Sequence, residues 1–283
     1  IIFSMVAFML GYLRMNVDQA TDELLALTNV LVFDGSNGDI DREKNSNDLT
    51  KSLEKMLRTR AIAPETEMKD TKLPSKRSKV VLYAAASTNI THPHIFRTYP
   101  SRESSLNPTI IQALRATMAI QSLFPPVKVG GQQTQESFIG GALGANNPTR
   151  LLLKEAGEVF GRNRRVAQII SLGCGRPQVL SVELSNAVDA DELLKEATID
   201  CEMVANELST RLFSIDAYLR LNISRGVEPF KMKEWYNLGT VGSLTAAYLA
   251  TPDVSASINN SLRHLRARIG SVTLDQLSRY FGL

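Results

Sequence analysis

From Met5 to Leu27 apolar residues recur at helical spacing, with a break at Asn16-Val17-Asp18, which predicts two successive helices with Asp18 and Glu23 at the start of the second. The pattern stops at Phe33. Asp34-Gly35-Ser36-Asn37-Gly38-Asp39 is turn chemistry, and Asp48 to Arg58 predicts a further amphipathic helix opened by an Asp cap. Lys79-Val80-Val81-Leu82-Tyr83-Ala84-Ala85-Ala86 is a continuous apolar run of the kind that forms a strand buried on both faces. Thr88 to Asn107 carries Pro93 and Pro100 among Ser and Thr residues and reads as a loop over a sheet edge. Pro108 opens a helix over 109–120, and Pro125-Pro126 and Gly130-Gly131 then punctuate the return to a strand at Ser137-Phe138-Ile139.

The second half continues the alternation. A helix runs from Thr149 to Phe160 and is closed by Gly161, and Val166 to Leu172 is another buried strand. A strand, a helix and a strand in sequence predict a mixed or mostly parallel sheet. Helices over about 189–213, 232–250 and 254–268, with a short strand from Tyr218 to Ile223, complete the chain. No internal repeat, low-complexity tract or long linker divides it. The expectation is one α/β domain over 1–283, a mixed or mostly parallel sheet flanked by helices.

Composition narrows the classes of function. Of 283 residues, 43% are hydrophobic and 22% charged, ordinary values for a globular protein, and a net charge of +3 is too small to argue for nucleic acid. The short basic clusters Lys76-Arg77-Ser78-Lys79 and Arg162-Asn163-Arg164-Arg165 read as solvated loops with a modest attraction to anionic headgroups. Cys174 and Cys201 make no disulfide framework and have no metal-ligand spacing, so the default location is intracellular, cytoplasmic or peripheral to membranes. Ile1 to Leu13 is apolar, but a span needs about 20 such residues and a secretory signal a basic start. A chain beginning with Ile reads as a fragment.

Few residues offer chemistry by themselves. His92-Pro93-His94 lacks a third ligand at usable spacing, and Asp34 to Asn45 lacks the Gly and the final Glu of a calcium loop, so no metal or other cofactor is expected. His264 lies on a basic helix face and reads as solvated surface.

The informative stretch is Phe138-Ile139-Gly140-Gly141-Ala142-Leu143-Gly144-Ala145-Asn146-Asn147-Pro148, where a strand meets a glycine-rich turn that opens a helix. Together with Ile95-Phe96-Arg97-Thr98-Tyr99, Arg115-Ala116-Thr117-Met118-Ala119, Ser171-Leu172-Gly173-Cys174-Gly175 and Tyr218-Leu219-Arg220-Leu221-Asn222, it resembles, block by block, the patatin-like phospholipases, lipid acyl hydrolases of lysophospholipase-like fold, and in particular their fungal members. The resemblance implies a Ser-Asp dyad, with the Asp in a signature F-[IV]-D-G-G-L-G-x-N-N-P. The Asp position is Gly140, and the degenerate motif continues through Gly141, Ala142 and Gly144. Met9 to Met15 matches the helix that follows the family's nucleophile turn, which puts the nucleophile on or just before Ile1. Ile1-Ile2-Phe3-Ser4 stands there, Ser4 reads as a helix residue, and no G-x-S-x-G occurs in the chain.

In this reading 1–33 holds the helices after the nucleophile turn, 79–175 the core with the degenerate motif, and 189–283 a C-terminal helical part. A domain lacking its N-terminal strand is expected to leave Val80-Val81-Leu82 and Val166 to Leu172 partly uncovered and to associate. Glu136, four positions before Gly140, is the nearest carboxylate and is out of register. Cys174 replaces the Thr of S-x-G-T-G and reads as a packed small residue, while Asn146, Asn147 and Pro148 read as structural. No catalytic residue is assigned. The resemblance implies a lipid or acyl-ester ligand and contact with a membrane surface, either for a lipid acyl hydrolase or for a non-catalytic relative that binds lipid or a partner domain.

Overall fold

The chain's first apolar stripe folds as predicted and at once meets a conformational constraint. In the computed structural model, which describes residues 2–31, 40–69, 78–101, 106–131, 133–175, 201–223, 238–267 and 269–281, α1 (Ile2–Ala7) continues into a π-turn at Phe8–Tyr12. Met5, Phe8, Met9 and Tyr12 are buried. Gly11 permits this packing, since a Cβ there would lie 2.7 Å from Val80 Cγ2. The turn at 34–39, Lys76-Arg77 and the stretches 189–200 and 232–237 lie outside the described residues.

Caps set the next helix boundaries. Asn16, rather than Asp18, caps α2 (Val17–Asn29): its side chain accepts from the Gln19 N–H at 2.8 Å and Gln19 Oε1 accepts from the Asn16 N–H at 3.2 Å. α3 (Arg42–Arg58) starts earlier than Asp48, because Asp41 accepts from the Lys44 N–H at 2.9 Å and the apolar stripe Leu49, Leu53, Met56, Leu57 occupies only its later turns. Arg60 donates to Glu23 Oε2 at 3.1 Å and so ties the end of α3 to α2.

Contacts divide the chain into two compact units, Ile1–Asn146 and Asn147–Leu283. The first contains β1 (Val81–Ala86), β2 (Asn89–Arg97), α4 (Ile110–Met118), β3 (Val127–Val129), β4 (Glu136–Gly140) and α5 (Ala142–Ala145). Its sheet has the order β2-β1-β4-β3 with every neighbour antiparallel. The segment expected to be a loop over 88–107 therefore contains β2. Its proline hid it: Pro93 pairs with Ala85 on a strand at the sheet's edge, where a residue without an N–H is tolerated, and the register slips between Ala85 and Ala86. Leu82, Ala84, Phe96, Val127, Val129 and Phe138 pack with α1, α3 and α4 in one core, so Val80 and Leu82 are covered, contrary to expectation. α4 opens with a capping box between Thr109 and Gln112, as Pro108 foreshadowed.

The second unit contains α6 (Thr149–Phe160), β5 (Arg165–Val166), β6 (Ile169–Leu172), α7 (Glu202–Leu212), β7 (Tyr218–Leu221), α8 (Leu238–Leu249), α9 (Pro252–Ala267), β8 (Val272–Thr273) and α10 (Leu274–Phe281). α6 ends where predicted, with Gly161 at φ 82°. The apolar run 166–172 splits in two: β5 pairs antiparallel with β8, and β6 pairs parallel with β7. The fold is mixed α/β. Among the described strands only β6 and β7 run parallel, because β4 pairs antiparallel with both β1 and β3 rather than with a strand across the following helix. Ile170 and Leu172 are 47% and 54% exposed, as the sequence led us to expect. No described helix is long and apolar enough to cross a membrane.

His94 gives this core a pH dependence. Its ring lies 4.9 Å from Phe96 and 5.0 Å from Phe138, and burial holds it below the ordinary histidine value of 6.5; Glu136 opposes that shift, whereas Arg97 and Lys69 reinforce it. The unfolded chain thus binds the proton at a higher pH than the folded one. This contribution to stability is complete above pH 6.5 and is lost as the pH falls below it toward the folded value. Denaturant titrations across that window are expected to show a smaller loss for His94→Leu than for the wild type.

Candidate functional site

The end of β4 is built from main-chain groups. Gly140 pairs with Ala84 on the central strand β1, and its N–H donates to the Ala119 carbonyl at 3.0 Å. A Cβ at Gly140 would lie 3.2 Å from the Thr117 carbonyl oxygen and 3.7 Å from that of Ala119, both at the end of α4. A Cβ at this position is a tight contact, which the end of α4 must yield by a few tenths of an ångström to accept. Glu136 begins the same strand, exposed and paired with Val129, about 13 Å away at the usual strand rise. Ser4 lies half-buried within α1, where no glycine-flanked turn surrounds it.

The neighbouring glycine has a different cause. A Cβ at Gly141 would lie 2.7 Å from the Tyr83 carbonyl oxygen and 3.0 Å from its carbon, so the chain leaving β4 passes too close to β1 for any side chain. α5 follows, with Ala142 half-buried, and at Gly144 a Cβ would touch Pro93 Cγ at 3.3 Å. The degenerate motif keeps the small residues that the turn requires and lacks the one group that could take a proton.

In the second unit, three of the blocks that carried the resemblance meet around Arg220. From β7, Arg220 donates to Glu202 Oε1 at 3.1 Å and to Ser171 Oγ on β6 at 3.0 Å, with Cys201 Sγ at 3.5 Å. Asn222 donates to the same Glu202 oxygen at 2.8 Å and accepts from the Gly175 N–H at 2.7 Å. Gly173 makes room for both, since a Cβ there would overlap the Asn222 amide and lie 2.7 Å from Arg220 Nη2. Asn147 donates to the Cys201 carbonyl at 2.9 Å and accepts from Thr149 Oγ1 at 2.7 Å, a structural role for this block. Cys174 is exposed rather than packed. Burial pushes the Cys201 thiol up, and Arg220 opposes that shift.

The sequence reading assigned no role to Arg220, Glu202 or Asn222. Their signal was an alternation: Arg220 and Asn222 stand two apart on a strand, so both reach one face, while Leu219 and Leu221 take the other. Among the described residues no group of three His, Cys, Asp or Glu is placed to hold a metal.

Two substitutions separate steric from electrostatic constraints. Gly141→Ala is expected to cost roughly 2–3 kcal/mol of stability through the backbone overlap, and Gly140→Ala about 1 kcal/mol or less, with the order read from thermal or denaturant melts. Glu202→Ala, which strands a largely buried guanidinium, is expected to cost about 2–3 kcal/mol, whereas Arg220→Met costs less because no charge is left unpaired.

The family described as patatin-like phospholipase matches this chain over residues 4–153, which includes the blocks at Ile95–Tyr99, Arg115–Ala119 and Phe138–Pro148; the Ser171–Gly175 and Tyr218–Asn222 blocks lie beyond it. No curated protein sequence matches the chain. With more than half of its 283 residues matched and the glycine-rich turn after β4 inside the match, the chain belongs to the patatin-like phospholipase family.

Proposed function

We propose that this member of a lipid acyl hydrolase family binds lipid without hydrolysing it. The observation that carries the reading is Gly140: where the family's motif has the base of its dyad, this chain has only a hydrogen atom, which accepts no proton. A hydroxyl nucleophile needs a group that accepts its proton as the new bond forms. Glu136 lies at the far end of β4, and moving it into place would shift Gly141 off the one position that tolerates the Tyr83 carbonyl. Loss of a member of such a catalytic unit lowers turnover by about 10^4 to 10^6-fold.

The reading extends to the rest of the chain. We assign 1–283 to one domain of the family, with 79–175 carrying the altered motif. Its setting is intracellular, cytoplasmic or peripheral to a membrane, with lipid or a partner domain as ligand. A competing reading, active ester hydrolysis, draws on family membership alone.

Incubation of the purified chain with a fluorophosphonate probe and with a fatty-acyl ester is expected to give no serine labelling and only background cleavage. Turnover that disappears when one of the chain's own side chains is replaced would overthrow the proposal.

A further inference from the structure

The second unit carries an apolar groove beside α6 and β6. Helical spacing puts Leu152, Ala156 and Phe160 on one stripe of α6, and strand alternation turns Ile169 into the core and leaves Ile170 outside. Leu152, Phe160 and Ile170 are 46%, 51% and 47% exposed along a groove of about 360 Å³. That volume is at the small end of natural ligand sites, which are apolar with a few placed polar groups.

The groove's charges are of one sign. Arg164 and Arg165 line it, and among the described residues no carboxylate does. Arg165 is held by the Gly270 carbonyl at 3.0 Å, whereas Arg164 is exposed and makes no ion pair among the described residues. Gln168, also in the lining, contacts His264 of α9 at 3.2 Å. An apolar trough whose lining includes an exposed cation complements an amphiphile with a single chain and a single negative charge. A volume at the small end of ligand sites suits one acyl chain better than two, and a protein partner would need a far larger apolar face.

We propose that this groove binds a medium-chain fatty acid, with the hydrocarbon along Leu152, Phe160 and Ile170 and the carboxylate against Arg164. The assignment rests on the lipid-binding reading above but not on Gly140, so binding and ester turnover are measured separately.

The test is calorimetric titration of the whole chain with laurate below its micelle-forming concentration. One saturable site per chain is expected. Arg164→Glu weakens binding about tenfold or more, dodecanol binds the wild type about tenfold more weakly than laurate, and Leu152→Glu abolishes saturation. Both replaced side chains are exposed, and unchanged melting temperatures verify folding. Absence of a saturable site, indifference to both substitutions, tighter binding of dodecyl phosphate than of laurate, or a dimer dispersed by Leu152→Glu would each overturn the assignment. Ester turnover with laurate binding intact would sink the proposed function and leave this site standing; no binding and no turnover would do the reverse.

Discussion

One steric constraint orders the first unit: the chain leaving β4 must cross β1 so closely that residue 141 can have no side chain. The crossing lets the strand pass into α5 without leaving the sheet's pairing, and it fixes which way Gly140 faces. Gly140 itself is under no comparable backbone demand, since its φ lies outside the left-handed region that only glycine adopts readily. Its missing side chain is therefore a matter of chemistry, not of turn geometry. The Thr117 carbonyl oxygen would lie 3.2 Å from a Cβ there, and the Ala119 carbonyl already holds the Gly140 N–H.

The second unit uses the same device for another purpose. Removal of a side chain at Gly173 lets the Asn222 amide reach the Gly175 N–H, so the loop after β6 is pinned by the strand beside it. Glu202 completes the arrangement by accepting from both Arg220 and Asn222. A largely buried ion pair of this kind adds little to net stability compared with an apolar core, but it admits one register only. Arg220 donates in addition to Ser171 on β6 and so joins two parallel strands whose connection runs through a long stretch of chain.

What could be read in advance was local. The helix closed by Gly161 and the one opened by Pro108 and Thr109 follow from residues within a turn of each boundary, and the altered motif at Gly140 is visible because its neighbours are contiguous. β2 escaped because Pro93 is a strand breaker everywhere but at an edge, and edge status is decided by the other strands. The early start of α3 escaped because its first turns bury Asn45 and Ser46 rather than apolar residues, with Asn45 donating to the Leu123 carbonyl at 3.4 Å and Ser46 accepting from Arg115 at 2.6 Å. The Arg220 cluster joins positions whose separations in sequence, up to 54 residues, exceed any motif. Periodicity reports burial within one element; pairing partners are a property of the whole.

Pro93 also bears on how these molecules behave toward one another. A foreign extended segment aligning along β2 would find an interrupted row of donors, and on the opposite flank β3 offers a template only three residues long. Zipper-like growth of this sheet is blocked on both sides. Crowding of copies must then proceed through their greasy side-chain patches, which detergents and amphiphiles can mask, rather than through irreversible fibre-type stacking.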